Sequence, residues 1–315
     1  MSETTPAARL HRFAPQLATI VAFLLIGTVF ATLSPVFLSI GNIANIANQT
    51  AVISVLAFAM TLVMLSGGID LSVGSLVSLS SVLCASLMDA KFPASLAVAA
   101  ALTLGATLGL VSGTIAARWR IQTFLVTLGM LSIARGSALV LSGGRTIYIE
   151  NEGFLKIAAQ GSLGPFTALM GWTLLFFVVS WVLINLSTFG RSVRAVGGNA
   201  EAARQAGIGV GWVTTRVFAL SGMMAAAAGI MLAGRLSGGL PAVGVGLELD
   251  AIAAAVLGGT GFKGEGGSLV GTLFGALLMG TVVNGLTLLG INPYAQEIAK
   301  GLIIVVAVII VSRRA

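Results

Sequence analysis

Few residues in this 315-residue chain could do chemistry, and their types narrow the choice quickly. The single cysteine, Cys84, leaves no disulfide scaffold and no cysteine-based zinc site. The single histidine, His11, stands in a polar N-terminal stretch, which removes His-dependent catalysis and His-rich metal centres. A P-loop needs a Gly-Lys pair; Lys91, Lys156, Lys263 and Lys300 follow Ala90, Leu155, Phe262 and Ala299 instead. An intramembrane enzyme would want a Ser/His or paired-Asp constellation, and none is recognisable here. What remains is a handful of charges in apolar surroundings. Asp70, inside the 65–75 segment LSGGIDLSVGS, can cap the helix that follows it, with Ser72 and Ser75 assisting. Its other reading is a broken helix along a pathway, or an ion-binding carboxylate. Arg135 lies roughly 20 Å along an apolar run at the helical rise. It can snorkel outward, contact substrate or pair with a carboxylate, for which Asp250 is the first candidate and Glu248 the second.

The elements that must position these groups are set by composition. The chain is 57% hydrophobic and 9% charged, against about 25% charged residues in ordinary globular domains. Its mean hydropathy is +1.04. Too few charges exist to cover a water-facing surface, so the fold class expected is an all-α polytopic membrane protein. Helices are required because lipid-exposed backbone must satisfy its own hydrogen bonds.

Apolar segments run at about 16–33, 51–66, 75–89, 94–117, 121–142, 165–188, 212–234, 247–262, 268–290 and 296–312. At roughly 20 residues per crossing these make about ten spans, a single transmembrane domain over 16–312 between a tail at 1–15 and an end at 313–315. Arg9, His11 and Arg12 precede the first run as in a signal peptide, but the run is long and Ser34-Pro35 reads as a helix stop, so a retained span is expected. The 36–50 stretch, with Asn42, Asn45, Asn48 and Gln49, is too polar to span and is assigned to the interface. With the N-terminus inside, the inner loops hold Arg9, Arg12, Arg118, Arg120, Arg191, Arg194, Arg204, Lys263, Arg313 and Arg314. The outer side holds only Lys91, Arg145, Lys156 and Arg235, so both termini are expected to be cytoplasmic.

Two spans carry glycine at every fourth position, Gly105, Gly109 and Gly113, then Gly267, Gly271 and Gly275. Each set lies on one helix face, where close backbone packing within the chain is favoured over a dimer contact. Gly67-Gly68 and Gly74-Ser75-Leu76-Val77 are echoed by Gly258-Gly259 and Gly267-Ser268-Leu269-Val270, a hint of two related halves. The longest inner loop, 189–211, reads FGRSVRAVGGNAEAARQAGIGVG. Asn199 is a natural cap for a short Ala-rich helix, Gly197-Gly198 a hinge before it, and Arg194 a basic flank. The longest outer loop, 143–164, mixes Arg145, Glu150, Glu152 and Lys156 and is expected to dock an aqueous partner by charge.

Four segments taken in order, LSGGIDLSVGS (65–75), GRSVRAVGGNAEAARQAGI (190–208), ELDAIAAAVLGGT (248–260) and the 264–280 stretch ending in GGSLVGTLFGALLMG, resemble the ribose/monosaccharide-type permease subunits of bacterial ABC importers. Glu201-Ala202-Ala203 with Gly207 is similar to the EAA-type signature of such permeases, without the Ile-x-Leu-Pro that often ends it elsewhere. The resemblance implies a non-enzymatic inner-membrane subunit with the ABC-importer permease fold. It would import a ribose-like sugar or related polyol, with ATP and Mg bound on a separate cytoplasmic ATPase. A periplasmic sugar-binding protein and a second permease copy, or a sister permease, would complete the assembly. The ATPase would be coupled through Arg194, Gly197, Gly198, Asn199, Glu201, Ala202, Ala203 and Gly207. The competing class is an ion-coupled secondary transporter built on Asp70, which would want more ionisable groups at midplane depth.

Overall fold

The computed structural model describes residues 6–261, 264 and 266–312; Lys263, Arg313 and Arg314, and the side chains of Arg9, His11 and Arg12, lie outside what is described. The chain is mostly helical. The helices are α1 Pro6–Leu33, α2 Ile40–Leu65, α3 Val73–Asp89, α4 Ala94–Trp119, α5 Thr123–Ser142, α6 Glu152–Leu155, α7 Ala168–Asn185, α8 Thr188–Gly198, α9 Ala200–Gln205, α10 Val210–Leu236, α11 Leu247–Leu257, α12 Leu269–Leu288 and α13 Pro293–Ser312. A π-helical turn, Lys156–Gln160, continues α6. Four two-residue strands, β1 Ile147–Tyr148, β2 Ser162–Leu163, β3 Phe166–Thr167 and β4 Gly238–Gly239, form the antiparallel pairs β1–β4 and β2–β3.

Among the described residues six helices are long and apolar enough to cross a membrane: α2, α4, α5, α7, α10 and α12. Helices α2 and α10 are central, with 78% of their apolar windows buried, whereas α4, α5 and α7 are peripheral at 22%, 22% and 17%. The glycine faces explain how α4 reaches α10. A Cβ on Gly105, Gly109 or Gly113 would run into Gly222, Phe218 or Thr215 of α10, so these two backbones touch. Likewise Gly271 and Gly275 of α12 lie against Gly258 and Ala254 at the end of α11. Both faces are used for packing within the chain. Gly109→Leu is therefore expected to cut folded yield in the membrane several-fold, while Gly27→Leu on an open face of α1 leaves it unchanged. Equal yields by size-exclusion chromatography would contradict this packing.

Most of the 36–50 stretch is helical. It turns into α2 at Ile40, capped by Ser39, whose hydroxyl accepts from the Asn42 amide N–H at 3.3 Å. Asn42 is buried and exchanges two 3.0 Å hydrogen bonds with Asn284 of α12. Its amide also donates to the Phe37 carbonyl at 2.8 Å. Asn48 accepts from the Thr167 hydroxyl. Polar side chains that satisfy one another across the bundle cost little to bury, so the helix begins well before the apolar run does.

Two helices, α3 and α11, are short, about 26 and 17 Å at the helical rise, and each follows a non-helical segment, 66–72 and 237–246. The second segment descends along α3 in the opposite direction. Gly239 packs on Ser81, Val82 and Ala85, and Gly244 on Gly74, with the Gly244 N–H donating to Ser78 Oγ at 2.9 Å. The two glycine turns of the sequence echo lie side by side: Leu65 packs on Gly267, the Thr61 and Thr272 hydroxyls bond at 2.7 Å, and each turn leads into an unbroken helix, α3 or α12.

Candidate functional site

At one end of the bundle the chain between α7 and α10 folds as two helices. Ser187 starts α8 by accepting from the Gly190 N–H at 3.0 Å, and Val193 and Val196 bury its apolar face. Asn199 ends α8 and caps α9, its side-chain oxygen accepting from the Glu201 and Ala202 N–H groups at 3.0 and 2.9 Å. Glu201 and Arg204 form an ion pair on the exposed side of α9, and Ala203 is buried beneath. Gly207, at φ +83°, takes the left-handed turn that closes α9, a conformation glycine adopts without steric penalty.

Gly197 and Gly198 do not form a hinge. Both lie in the last turn of α8, and Gly197 is pressed against the Leu65 carbonyl, Gly67 and Gly264. A side chain there would separate α8 from the end of α2. Glycine is required by this close approach rather than by flexibility. Arg194 donates to Asn185 Oδ1 at 3.2 Å and reaches the Gly266 carbonyl at 3.5 Å. Beside α8 and α9 are two clefts, of about 730 Å³ with Arg120 and Arg204 in its wall and about 850 Å³ with Arg191 and Arg194. The helix pair is thus a ledge seated on the ends of α2 and α10, with basic recesses on both sides. Such a surface can accept a protein partner and pass its displacement to two core helices.

The second polar centre lies deeper. Asp70 is fully buried in the 66–72 break. Its Oδ1 accepts from the Ser72 N–H and hydroxyl at 2.9 and 2.6 Å, and its Oδ2 from Ser221 Oγ of α10 at 2.8 Å. The N-cap of α3 is Ser72, and no side chain caps that helix. Asp70 therefore does not act as the expected cap at a surface turn. The break carries it into the bundle, about 16 Å along α10, where Ser221 supplies the remaining donor. Backbone N–H groups of Ile69 and Leu71 donate to Thr123 and Thr127 of α5 at 3.0 and 3.1 Å, so the break is held by both α5 and α10. Ser75 bonds only the Ser72 carbonyl, at 2.8 Å.

The expected pairing of Arg135 with Asp250 does not form. Asp250, in the first turn of α11, is bound by Lys300 of α13 at 3.3 Å, and Lys300 also binds Glu297 at 2.8 Å. Arg135 stands half-buried on α5, a helix that packs on α3 and α4. Glu248 is buried against Gly74 of α3, and its Oε2 has no hydrogen-bond partner. Sequence reasoning missed Lys300 and Ser221. A lone cation in an apolar run, three residues after Glu297, was the signal for Lys300; Ser221 gave none.

At the opposite end, Arg145, Glu150, Glu152 and Lys156 are all exposed. Glu152 and Lys156 bond to each other at 3.5 Å, and at 82% and 70% exposure such a pair stabilises little. Beneath them Ile149, Phe154 and Ala158 pack on Cys84, Ala85, Ile230 and Ala233, which fixes this loop to the ends of α3 and α10.

The chain matches over residues 42–310 the family described as branched-chain amino acid transport system / permease component. It is 41% identical to the ribose import permease protein RbsC of Escherichia coli over 302 residues, 94% of this chain and 93% of that protein. It is 39% identical to the RbsC of Bacillus subtilis over 285 residues, 90% and 88% of the two chains. The L-arabinose ABC transporter permease protein AraH of Azospirillum brasilense is 38% identical over 285 residues, 89% and 84%. No solved structure matches the chain significantly. With its near-complete coverage by that family and its multi-pass helical bundle, this chain belongs to the permease components of the branched-chain amino acid transport system family.

Proposed function

We propose that the chain is the permease subunit of an ABC importer that carries a monosaccharide, ribose or a related sugar or polyol, across the bacterial inner membrane. The observation that supports this best is the likeness, over nine-tenths of the chain, to permeases named for ribose and arabinose. In this reading the chain is not an enzyme, and ATP and Mg bind on a separate cytoplasmic ATPase. The α8–α9 ledge is the part that ATPase grips. A periplasmic sugar-binding protein docks at the other end, on the loop with Arg145, Glu150, Glu152 and Lys156. Sugar specificity then rests mainly with that binding protein.

Ten crossings with cytoplasmic termini follow if α1, α3, α11 and α13 count with the six long apolar helices, α3 and α11 completing theirs through the breaks before them. The Lys/Arg distribution supports a cytoplasmic position for the ledge. Two copies, or one copy and a sister permease, enclose the pathway. Asp70 has both carboxylate oxygens occupied by protein donors, which supports a structural role for it over ion coupling.

In a strain that retains a ribose-binding protein and its ATPase but lacks the permease, expression of this chain should restore growth on ribose. Failure with every pentose and hexose supplied would count against the assignment. Topology is tested separately, with Cys84 replaced by Ala. Glu150→Cys should react with an impermeant maleimide in intact cells, and Glu201→Cys only after permeabilisation. Labelling of Glu201→Cys from outside would reverse the orientation.

A further inference from the structure

The loop between α5 and α7 has two halves of different chemistry. Its charges stop at Lys156, and the next charged residue is Arg191. Between them β2 and β3 make a hairpin, paired Ser162↔Thr167 and Leu163↔Phe166, with Gly164 at φ +61° and Pro165 in the turn. Its tip is apolar and unpacked: Leu163 is 86% exposed and Phe166 70%. Behind the tip, a groove of about 660 Å³ is lined by Leu163, Phe166, Met170, Gly171 and Leu174.

Depth decides what covers this surface. Helix α7 has 18 residues, about 27 Å of rise, close to the roughly 30 Å thickness of the hydrocarbon layer. Ala168 therefore sits near the level where headgroups begin, and Leu174 lies about 9 Å deeper. A groove that reaches Leu174 opens among acyl chains. It is continuous with the face of α7 that exposes Leu174, Leu175, Val178 and Val179. The hairpin backbone suits this place. The Ala168 N–H donates to the Gly161 carbonyl at 2.7 Å, the strands pair with each other, and Pro165 has no N–H to satisfy. Trp172 donates its Nε1 proton to the Ile157 carbonyl at 2.8 Å and ties α7 to the rim of the charged half.

We propose that the β2–β3 hairpin is a lipid anchor: its tip is immersed in the leaflet at this end, and the groove behind it holds a phospholipid acyl chain. The anchor rests on the multi-pass membrane reading and is independent of which sugar is carried. It would hold the charged half of the loop at a fixed height above the bilayer. The test places nitroxides at Leu163→Cys, Phe166→Cys and Gly171→Cys, each with Cys84→Ala, in phosphatidylcholine liposomes. Leu174→Cys is the lipid reference and Glu150→Cys the aqueous one. At 163, 166 and 171 collisions with oxygen should exceed those with a water-soluble nickel chelate, as at 174. Adding a sugar-binding protein should leave these three values unchanged. Nickel accessibility like that at 150, or protection of the tip by the binding protein, would overturn the proposal.

Discussion

Lys300→Ala is expected to lower the folded yield sharply and to reduce thermal melting in detergent by roughly 10 °C. The reason is what the change leaves behind. Asp250 is 11% exposed in its side chain and Lys300 17%, so the pair lies almost out of solvent. Removing one member of a buried pair costs about 3–5 kcal/mol, chiefly because the other charge stays buried without a partner. Lys300→Arg keeps a cation within reach and should retain most of the yield. The double change Lys300→Ala with Asp250→Ala should be milder than the sum of the single changes, since neither charge is then stranded. Additive losses would mean that the two residues act separately. Arg135→Ala serves as the comparison: with Asp250 bound to Lys300, it should not interact with Asp250→Ala.

The second large effect is on coupling rather than stability. Ala203 is buried in α9, and its N–H donates to the Asn199 carbonyl at 2.9 Å, the first bond of that helix. Proline at 203 removes this donor and forces its ring against the same carbonyl. Only a six-residue helix is affected, so Ala203→Pro should reach the membrane at normal amounts. ATP-driven uptake should nevertheless fall by about 5–150-fold, the range of a coupling free energy of about 1–3 kcal/mol, or the ATPase should be lost on purification. Gly197→Val tests the same ledge from beneath, since its side chain would part α8 from α2. Wild-type uptake by both variants, with the ATPase bound, would move the coupling contact to the turn at Arg118 and Arg120.

Much of the bundle is legible in the sequence because apolar runs of span length have one economical solution in lipid. The runs at 94–117, 212–234 and 268–290 lie within two residues of Ala94–Trp119, Val210–Leu236 and Leu269–Leu288. The start of α2 is not legible, because the burial of Asn42 depends on Asn284, which is 242 positions away. Asp70 shows the same limit. A carboxylate before a helix reads locally as a cap, and only the packed bundle brings Ser221 to it, 151 positions on. Gly197 shows another limit: the sequence marks a glycine but not whether it is there for freedom or for lack of a side chain. Arg135 and Lys300 are both lone cations in apolar runs, and choosing the partner of Asp250 takes the packing of α11 on α13. The Asn199 cap and the Glu201–Arg204 pair are local in sequence and were readable from spacing alone.

The central claim is that this chain forms the sugar pathway of an ATP-driven importer. Its most direct test is uptake of radiolabelled ribose into proteoliposomes that contain the chain together with the ATPase of a ribose importer. Ribose-loaded binding protein is supplied on one face and ATP on the other. Uptake should require the chain, the binding protein and hydrolysable ATP together, and should be indifferent to collapse of proton and sodium gradients. Uptake that continues without ATP and follows an ion gradient would contradict the account, and would return Asp70 to the centre of the mechanism.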